Sequence, residues 1–119
     1  MVNKVDSIEL LQAGMKASAL RQQAIANNIA NINTPGYKRT DVQFENVLAK
    51  ALDDGKLSPG ELDTKFFHPL STPTDATGND VELETEVGEL IQNDATYKTL
   101  ARLLAKKYRG MEMAMRTEG

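Results

Sequence analysis

Residues 8–36 read IELLQAGMKASALRQQAIANNIANINTPG, and the spacing within them decides the fold. A seam runs Ile8, Leu11, Met15, Ser18, Gln22, Ile25, Ile29 and Ile32 in steps of three and four, with six of its eight positions apolar. A 3.5-residue repeat held this long predicts a helix that supercoils against a partner. Ser18 and Gln22 are its two polar slots. Leu10, Ala13, Ala17, Leu20 and Ala24 form a second, wholly apolar stripe whose alanines permit close helix approach. Two stripes predict packing against more than one neighbour; one wide core-facing stripe in a small bundle is the plainer alternative.

Both ends of this helix carry punctuation. Asp6 and Glu9 have capping-box spacing, and Val5 and Leu10 sit where a hydrophobic staple would hold them. At the far end Pro35 restricts Thr34 away from helical backbone, and Pro35-Gly36 is the natural centre of a type II turn. Asn27, Asn28, Asn31 and Asn33 crowd the last turns. Asn is a mediocre helix former, so the run is either a fraying end or a row of carboxamides placed for specific hydrogen bonds.

A second seam runs Leu83, Val87, Leu90, Asp94, Tyr97, Ala101, Leu104, Tyr108, Met111 and Met115, again in steps of three and four. Asp94 is its one polar interruption, expected to set register at some cost in stability. Asn79 and Glu82 have the spacing of an N-cap and an N3 carboxylate. Glu82, Glu84, Glu86 and Glu89 lie toward the start, with Lys98, Arg102, Lys106, Lys107 and Arg109 toward the end, as the helix dipole prefers. That basic run is read as a solvated face. Gly88 and Gly110 are weak points of about 1 kcal/mol each.

Between the two seams, Phe44, Val47, Leu48, Ala51 and Leu52 fit a short third helix. Asp53-Asp54-Gly55 and Ser58-Pro59-Gly60 then break the chain, and Phe66-Phe67-His68-Pro69-Leu70 reads as a short extended piece docking on the helices. The fold expected is mainly α: long N- and C-terminal amphipathic helices pairing as a coiled-coil-like hairpin, with a short helix and an irregular loop between. Residues 1–36 form the first helix and turn, 37–78 the short helix and acidic loop, and 79–119 the last helix, together one domain.

Composition narrows the function. The 119 residues are 40% hydrophobic and 26% charged but only 5% aromatic, with no Trp, which makes for a thin core. The net charge of −3 is concentrated in residues 41–80, which hold three basic and eight acidic side chains. An acidic middle without stacking aromatics does not suit nucleic acid. The absence of Cys excludes disulfides and thiolate chemistry. His68 is the only histidine, and no cluster around it has metal-ligand spacing. Gly55 and Gly60 have phosphate-loop spacing, but Glu61 stands where that loop needs Lys. No enzyme, cofactor, metal or small-molecule substrate is expected. No apolar run of signal-peptide or membrane-spanning length follows Met1, so a chain of this kind that leaves the cytoplasm is expected to do so by a route that reads no conventional signal peptide.

The stretch from Ala26 to Arg39, ANNIANINTPGYKR, resembles the N-terminal signature of bacterial flagellar rod and hook proteins. Asp41-Val42-Gln43-Phe44-Glu45, Gly78-Asn79-Asp80-Val81-Glu82-Leu83-Glu84, and the pattern Asn93, Tyr97, Leu100, Leu103, Leu104, Lys107, Tyr108 resemble the small proximal rod proteins within that family. Asp80 departs from the family's usual second Asn, and the middle loop is shorter than in relatives. Ala95 and Leu100 replace the Arg and Asn that the sister proximal rod protein tends to carry.

The resemblance implies a structural subunit that assembles helically into the basal-body rod around an export channel and transmits torque. It implies contact with itself, with other rod subunits, and with the membrane-ring protein and small adaptor at the rod base. It also implies passage unfolded through the flagellar type III export apparatus into the periplasmic space, without a cleaved signal. The expected assembly residues are Leu11, Met15, Gln22, Ile25, Ile29, Leu90, Asp94, Tyr97, Leu104 and Tyr108, with Asn27, Asn28 and Asn31 assigned to hydrogen bonds between subunits. A stand-alone helical adaptor or export chaperone is the competing class.

Overall fold

A computed structural model describes residues 7–44, 46, 48 and 66–118. Helix α1 spans Ser7–Ala30 and helix α2 spans Leu83–Glu118, and the two pack antiparallel. Strand β1, Asp41–Val42, pairs antiparallel with β2, Phe66–Phe67, in the register Asp41 to Phe67 and Val42 to Phe66. Of the extended piece expected from Phe66 to Leu70, only Phe66 and Phe67 form a strand, and it pairs with β1. Phe44, Asn46 and Leu48 have helical backbone. Val47, Ala51, Leu52, the breaks at 53–60, and the cap and staple at Asp6 and Val5 lie outside the described residues.

The turn that ends α1 forms as its residues dictate. Tyr37 N–H donates to the Thr34 carbonyl at 3.2 Å, and Gly36 has φ of 76°, the left-handed value a type II turn needs at that position. The second apolar stripe of α1 meets the chain's own small sheet. Ala17 and Ala24 form the core with Val42, and Leu20, Phe44 and Phe66 pack around it.

The helices meet along a seam displaced from the expected one. On α1 the inward residues include Gly14, Ser18, Ile25 and Asn28; on α2 they include Glu86, Asn93 and Leu100. Ser18 and Ile25 keep their predicted places, and elsewhere the residue before the predicted one stands inside. Gly14 and Asn28 take the places expected for Met15 and Ile29, and Glu86, Asn93 and Leu100 those expected for Val87, Asp94 and Ala101. The physical reason is size and partnering. Gly14 lacks a side chain where a Cβ would lie 2.9 Å from Leu100 Cδ1, so the axes approach more closely than a Met would allow. Asp94 is exposed and pairs with Lys98 at 3.0 Å, so its neighbour Asn93 occupies the inner position instead.

In an antiparallel pair of right-handed helices, a step of one residue rotates both faces toward the same side. The displaced residues therefore share one flank. There Met15, Ala19 and Gln22 line a groove with Asp94, Tyr97 and Leu104. The sheet covers the opposite flank.

Candidate functional site

The buried side chains of Asn28, Arg39, Asp80 and Glu86 form a clasp where the Pro-Gly turn meets both helices. Asn28 and Glu86 are both wholly buried. Asn28 Nδ2 donates to Glu86 Oε1 and Oε2 at 2.9 and 3.2 Å and to the Thr40 carbonyl at 2.9 Å. Its Oδ1 accepts from the Tyr37 hydroxyl at 3.1 Å and from Thr40 N–H at 2.9 Å. Both donor and acceptor capacity of the carboxamide is thus met inside the chain.

Arg39 approaches Glu86 from the other side, donating through Nε at 2.7 Å to Oε1 and through Nη2 at 3.4 Å to Oε2. Its guanidinium is a buried cation, and burial alone would lower its pKa. The hydrogen bond and charge of Glu86, reinforced by Asp41 and Glu89, outweigh that and hold it above its ordinary value. Arg39 N–H donates to Asp80 at 2.6 Å, and Asp80 N–H donates to the Tyr37 carbonyl at 3.3 Å, which sews the turn to the start of α2.

Asn79 corrects the expected cap. Helix α2 begins at Leu83, four residues on, and the Asn79 side chain serves two helices instead. Its Nδ2 donates to the carbonyls of Asn31, Ile32 and Thr34 at 2.9, 3.2 and 2.8 Å, filling the orphan acceptors beyond α1, while Oδ1 accepts from Val81 N–H at 2.7 Å. Asp75 holds the loop before it, accepting from the Thr77 hydroxyl and from the N–H groups of Asn79 and Thr77, which pushes its carboxyl below the usual range. Farther along the hairpin Asn93 Nδ2 donates to the Ser18 carbonyl at 2.8 Å and to Gln22 at 3.3 Å.

The expected site residues divide into three groups by burial. Ile25 and Asn28 are buried within the hairpin. Leu11, Met15, Ile29, Leu90 and Leu104 are half-buried, and Gln22, Asn27, Asp94, Tyr97 and Tyr108 are exposed. Asn31 is half-buried; its amide donates to the Asn27 carbonyl at 2.8 Å, and its Oδ1 accepts from the Thr34 hydroxyl. Arg39, Asn79, Asp80, Glu86 and Asn93 were not among the expected residues. A signal for two of them was available: Glu86, Asn93 and Leu100 stand seven apart, as do Gly14, Arg21 and Asn28.

Beyond Leu104, every described side chain of α2 is exposed. A groove of about 730 Å³ opens there between Leu10 and Leu11 of α1 and Leu103, Met111 and Ala114 of α2, rimmed by Lys106 and Lys107. Among the described residues no group of three His, Cys, Asp or Glu is placed to hold a metal, and no helix is long and apolar enough to cross a membrane.

A hairpin of this kind, with a thin interior and an apolar flank left open, is the form of an assembly subunit. Residues 8–38, which comprise nearly all of α1 and its turn, match the sequence model of a family described as "Flagella basal body rod protein". Over most of its length the chain is similar to the flagellar basal body rod protein FlgB of several bacteria. The Cereibacter sphaeroides protein is 32% identical across 90% of this chain and 95% of its own. The Bacillus subtilis protein is 28% identical across 92% of each, and that of Yersinia enterocolitica 27% identical across 93% of this chain and 95% of its own. The chain belongs to the FlgB family of flagellar basal body rod proteins, and it is a structural subunit.

Proposed function

We propose that the chain is a proximal subunit of the rod, assembling helically with copies of itself and with other rod subunits around the export channel, and transmitting torque through interlocked helices. One observation carries this reading. Leu83, Val87, Ile91, Tyr97, Met111 and Met115 are exposed in the free chain, and all but Ile91 belong to a seam whose spacing is that of a buried one. Covering roughly 400 Å² of such surface contributes about 10 kcal/mol, of the same order as the costs of association, so it favours assembly through many repeated contacts.

Within this reading Met15, Gln22, Asp94, Tyr97 and Leu104 line the open flank, Leu11 and Tyr108 lie toward the distal end, and Asn27 and Asn31 lie near the turn. Ile25 and Asn28 act from inside by shaping the hairpin. The ring protein and adaptor at the rod base are its partners at one end, with other rod subunits at the other. The role is mechanical and involves no catalysis, metal or cofactor. The chain reaches the periplasmic rod unfolded through the type III apparatus, without a cleaved signal.

The test uses exposed positions, so that folding and assembly separate. Ile91→Asp with Met115→Asp is expected to leave helix content and melting within about 0.5 kcal/mol of the parent. In cells lacking their own copy it should give no rod incorporation and no motility. Wild-type motility would sink the proposal.

A further inference from the structure

Helix pairs held by burial alone carry Leu, Ile or Val at their inner positions. Here the inner positions of α2 include Glu86, Asn93 and Leu100, seven apart, and each meets a demanding counterpart. Glu86 meets Asn28, with Arg39 closing over it. Asn93 meets the Gln22 side chain beside the Ser18 carbonyl, and Leu100 fills the space left by Gly14. A slip of one heptad in one direction brings Leu11 into the place of Ser18 and Ser7 into that of Gly14, and carries Asn28 away from Glu86. A slip in the other direction sets Arg21 where Gly14 receives Leu100. Parallel pairing of α2 with another α2 sets Glu86 against Glu86.

We propose that Asn28, Arg39, Glu86 and Asn93 are the specificity-determining residues of helix pairing: they admit α1 onto α2 in one register and reject slipped or like-with-like pairings. Discrimination is a difference between alternatives, and it is built as much by penalising wrong pairings as by favouring the right one. A buried ion pair suits that role. Replacing both partners by apolar groups is often neutral or stabilising, whereas leaving one charge buried without the other is strongly penalised. Selection of register also decides which residues remain outside. With Glu86 and Asn93 inside, Val87 and Asp94 are turned to the open flank with Met15 and Gln22. That consequence for assembly rests on the rod-subunit reading; selection of register concerns the single chain.

The experiment measures register directly. The chain has no native cysteine, so Lys16→Cys and Glu84→Cys, both at exposed sites on opposite helices, carry spin labels cleanly. The parent should give one narrow distance. Arg39→Met with Glu86→Leu should keep its helix, at a melting temperature lowered only by the one Asn28 N–H left without an acceptor, yet show a second distance, displaced by up to about 10 Å, the rise of one heptad. A single unshifted distance in that folded variant overturns the proposal, because register then needs no polar lock. Should the variant fail to fold, Ser18→Ala with Asn93→Leu, which leaves the clasp intact, is scored by the same rule. Loss of the fold in both also overturns it, since the cluster would then be a source of stability and not of selection. The distances are read on the free chain, so the result is independent of whether the chain enters a rod.

Discussion

Asn28→Asp exchanges one NH2 group for an oxygen and changes almost no volume, yet it reverses the chemistry at the centre of the clasp. The amide that donates to Glu86 and to the Thr40 carbonyl becomes an acceptor. With both carboxyls ionised, two charges about 3 Å apart would repel by about 5 kcal/mol at an effective dielectric constant of ~20. Protonating the introduced carboxyl is cheaper. It costs about 1.4 kcal/mol for each pH unit above an unfolded-state pKa of about 3.9, hence about 4 kcal/mol near pH 7. The smaller term wins, and the carboxyl introduced at position 28 keeps its proton in the folded chain. Its O–H restores one donor, while a second acceptor goes unmet at roughly 1 kcal/mol more. A folded-state pKa raised in this way gives a penalty that is absent below the unfolded pKa and grows as pH rises. Relative to the parent at the same pH, the variant should lose about 5 kcal/mol near pH 7 and about 2 kcal/mol near pH 4.5. Against a total stability on the order of 5–15 kcal/mol, that populates unfolded chain at neutral pH without denaturant. Urea unfolding followed by helix circular dichroism, parent beside variant at both pH values, measures it. An equal loss at both pH values, or one under about 1 kcal/mol at pH 7, would refute the buried contact between Asn28 and Glu86.

Other sites give sharper signs than magnitudes. Gly14→Ala gains about 1 kcal/mol of helix propensity but must displace the tip of the Leu100 side chain, so it should stabilise a Leu100→Ala background by more than it does the parent; thermal unfolding of the four chains reads that difference. Asn79→Ala leaves three carbonyls without their donor and should cost about 1–2 kcal/mol, lowering the melting temperature by on the order of 5 °C. The Asp75 carboxyl has a depressed pKa in the fold, so the stability its turn contributes is complete above the ordinary carboxylate pKa and is lost as pH falls through the depressed value. Its NMR titration midpoint should lie below that of Asp in an unstructured peptide, and Thr77→Val should raise it.

Much of the fold was legible because it is periodic and punctuated. The 3.5-residue spacing of Ile8 to Ile32 and of Leu83 to Met115 announces two long helices, and Pro35-Gly36 announces the break after the first. Helix face was less legible. A seam drawn through apolar residues assumes that the inner surface is the apolar one, and here close approach at Gly14 and a satisfied Glu86 outrank Met15 and Val87. The clasp was the least legible part. Arg39 and Asn79 act on residues about 45 or more positions away, and no local spacing shows that the turn after α1 folds back over the start of α2. The role of Asn79 illustrates the difficulty: an Asn ahead of an amphipathic run reads as that helix's own cap, whereas its amide serves the helix before.

The separation in sequence between Asn28 and Glu86, 58 residues, has a consequence in time. Synthesis adds roughly 5–20 residues per second, so α1 emerges about 3–12 s before the carboxylate that anchors it exists. During that interval the first helix has its apolar stripes but neither its partner nor the amide of residue 79 that terminates it. Most helical stability in proteins comes from the packing of an amphipathic face, which is missing in that interval. The nascent N-terminal half therefore stays an open, interconverting chain, and the hairpin closes late, as a single event, once the start of the second helix has been delivered.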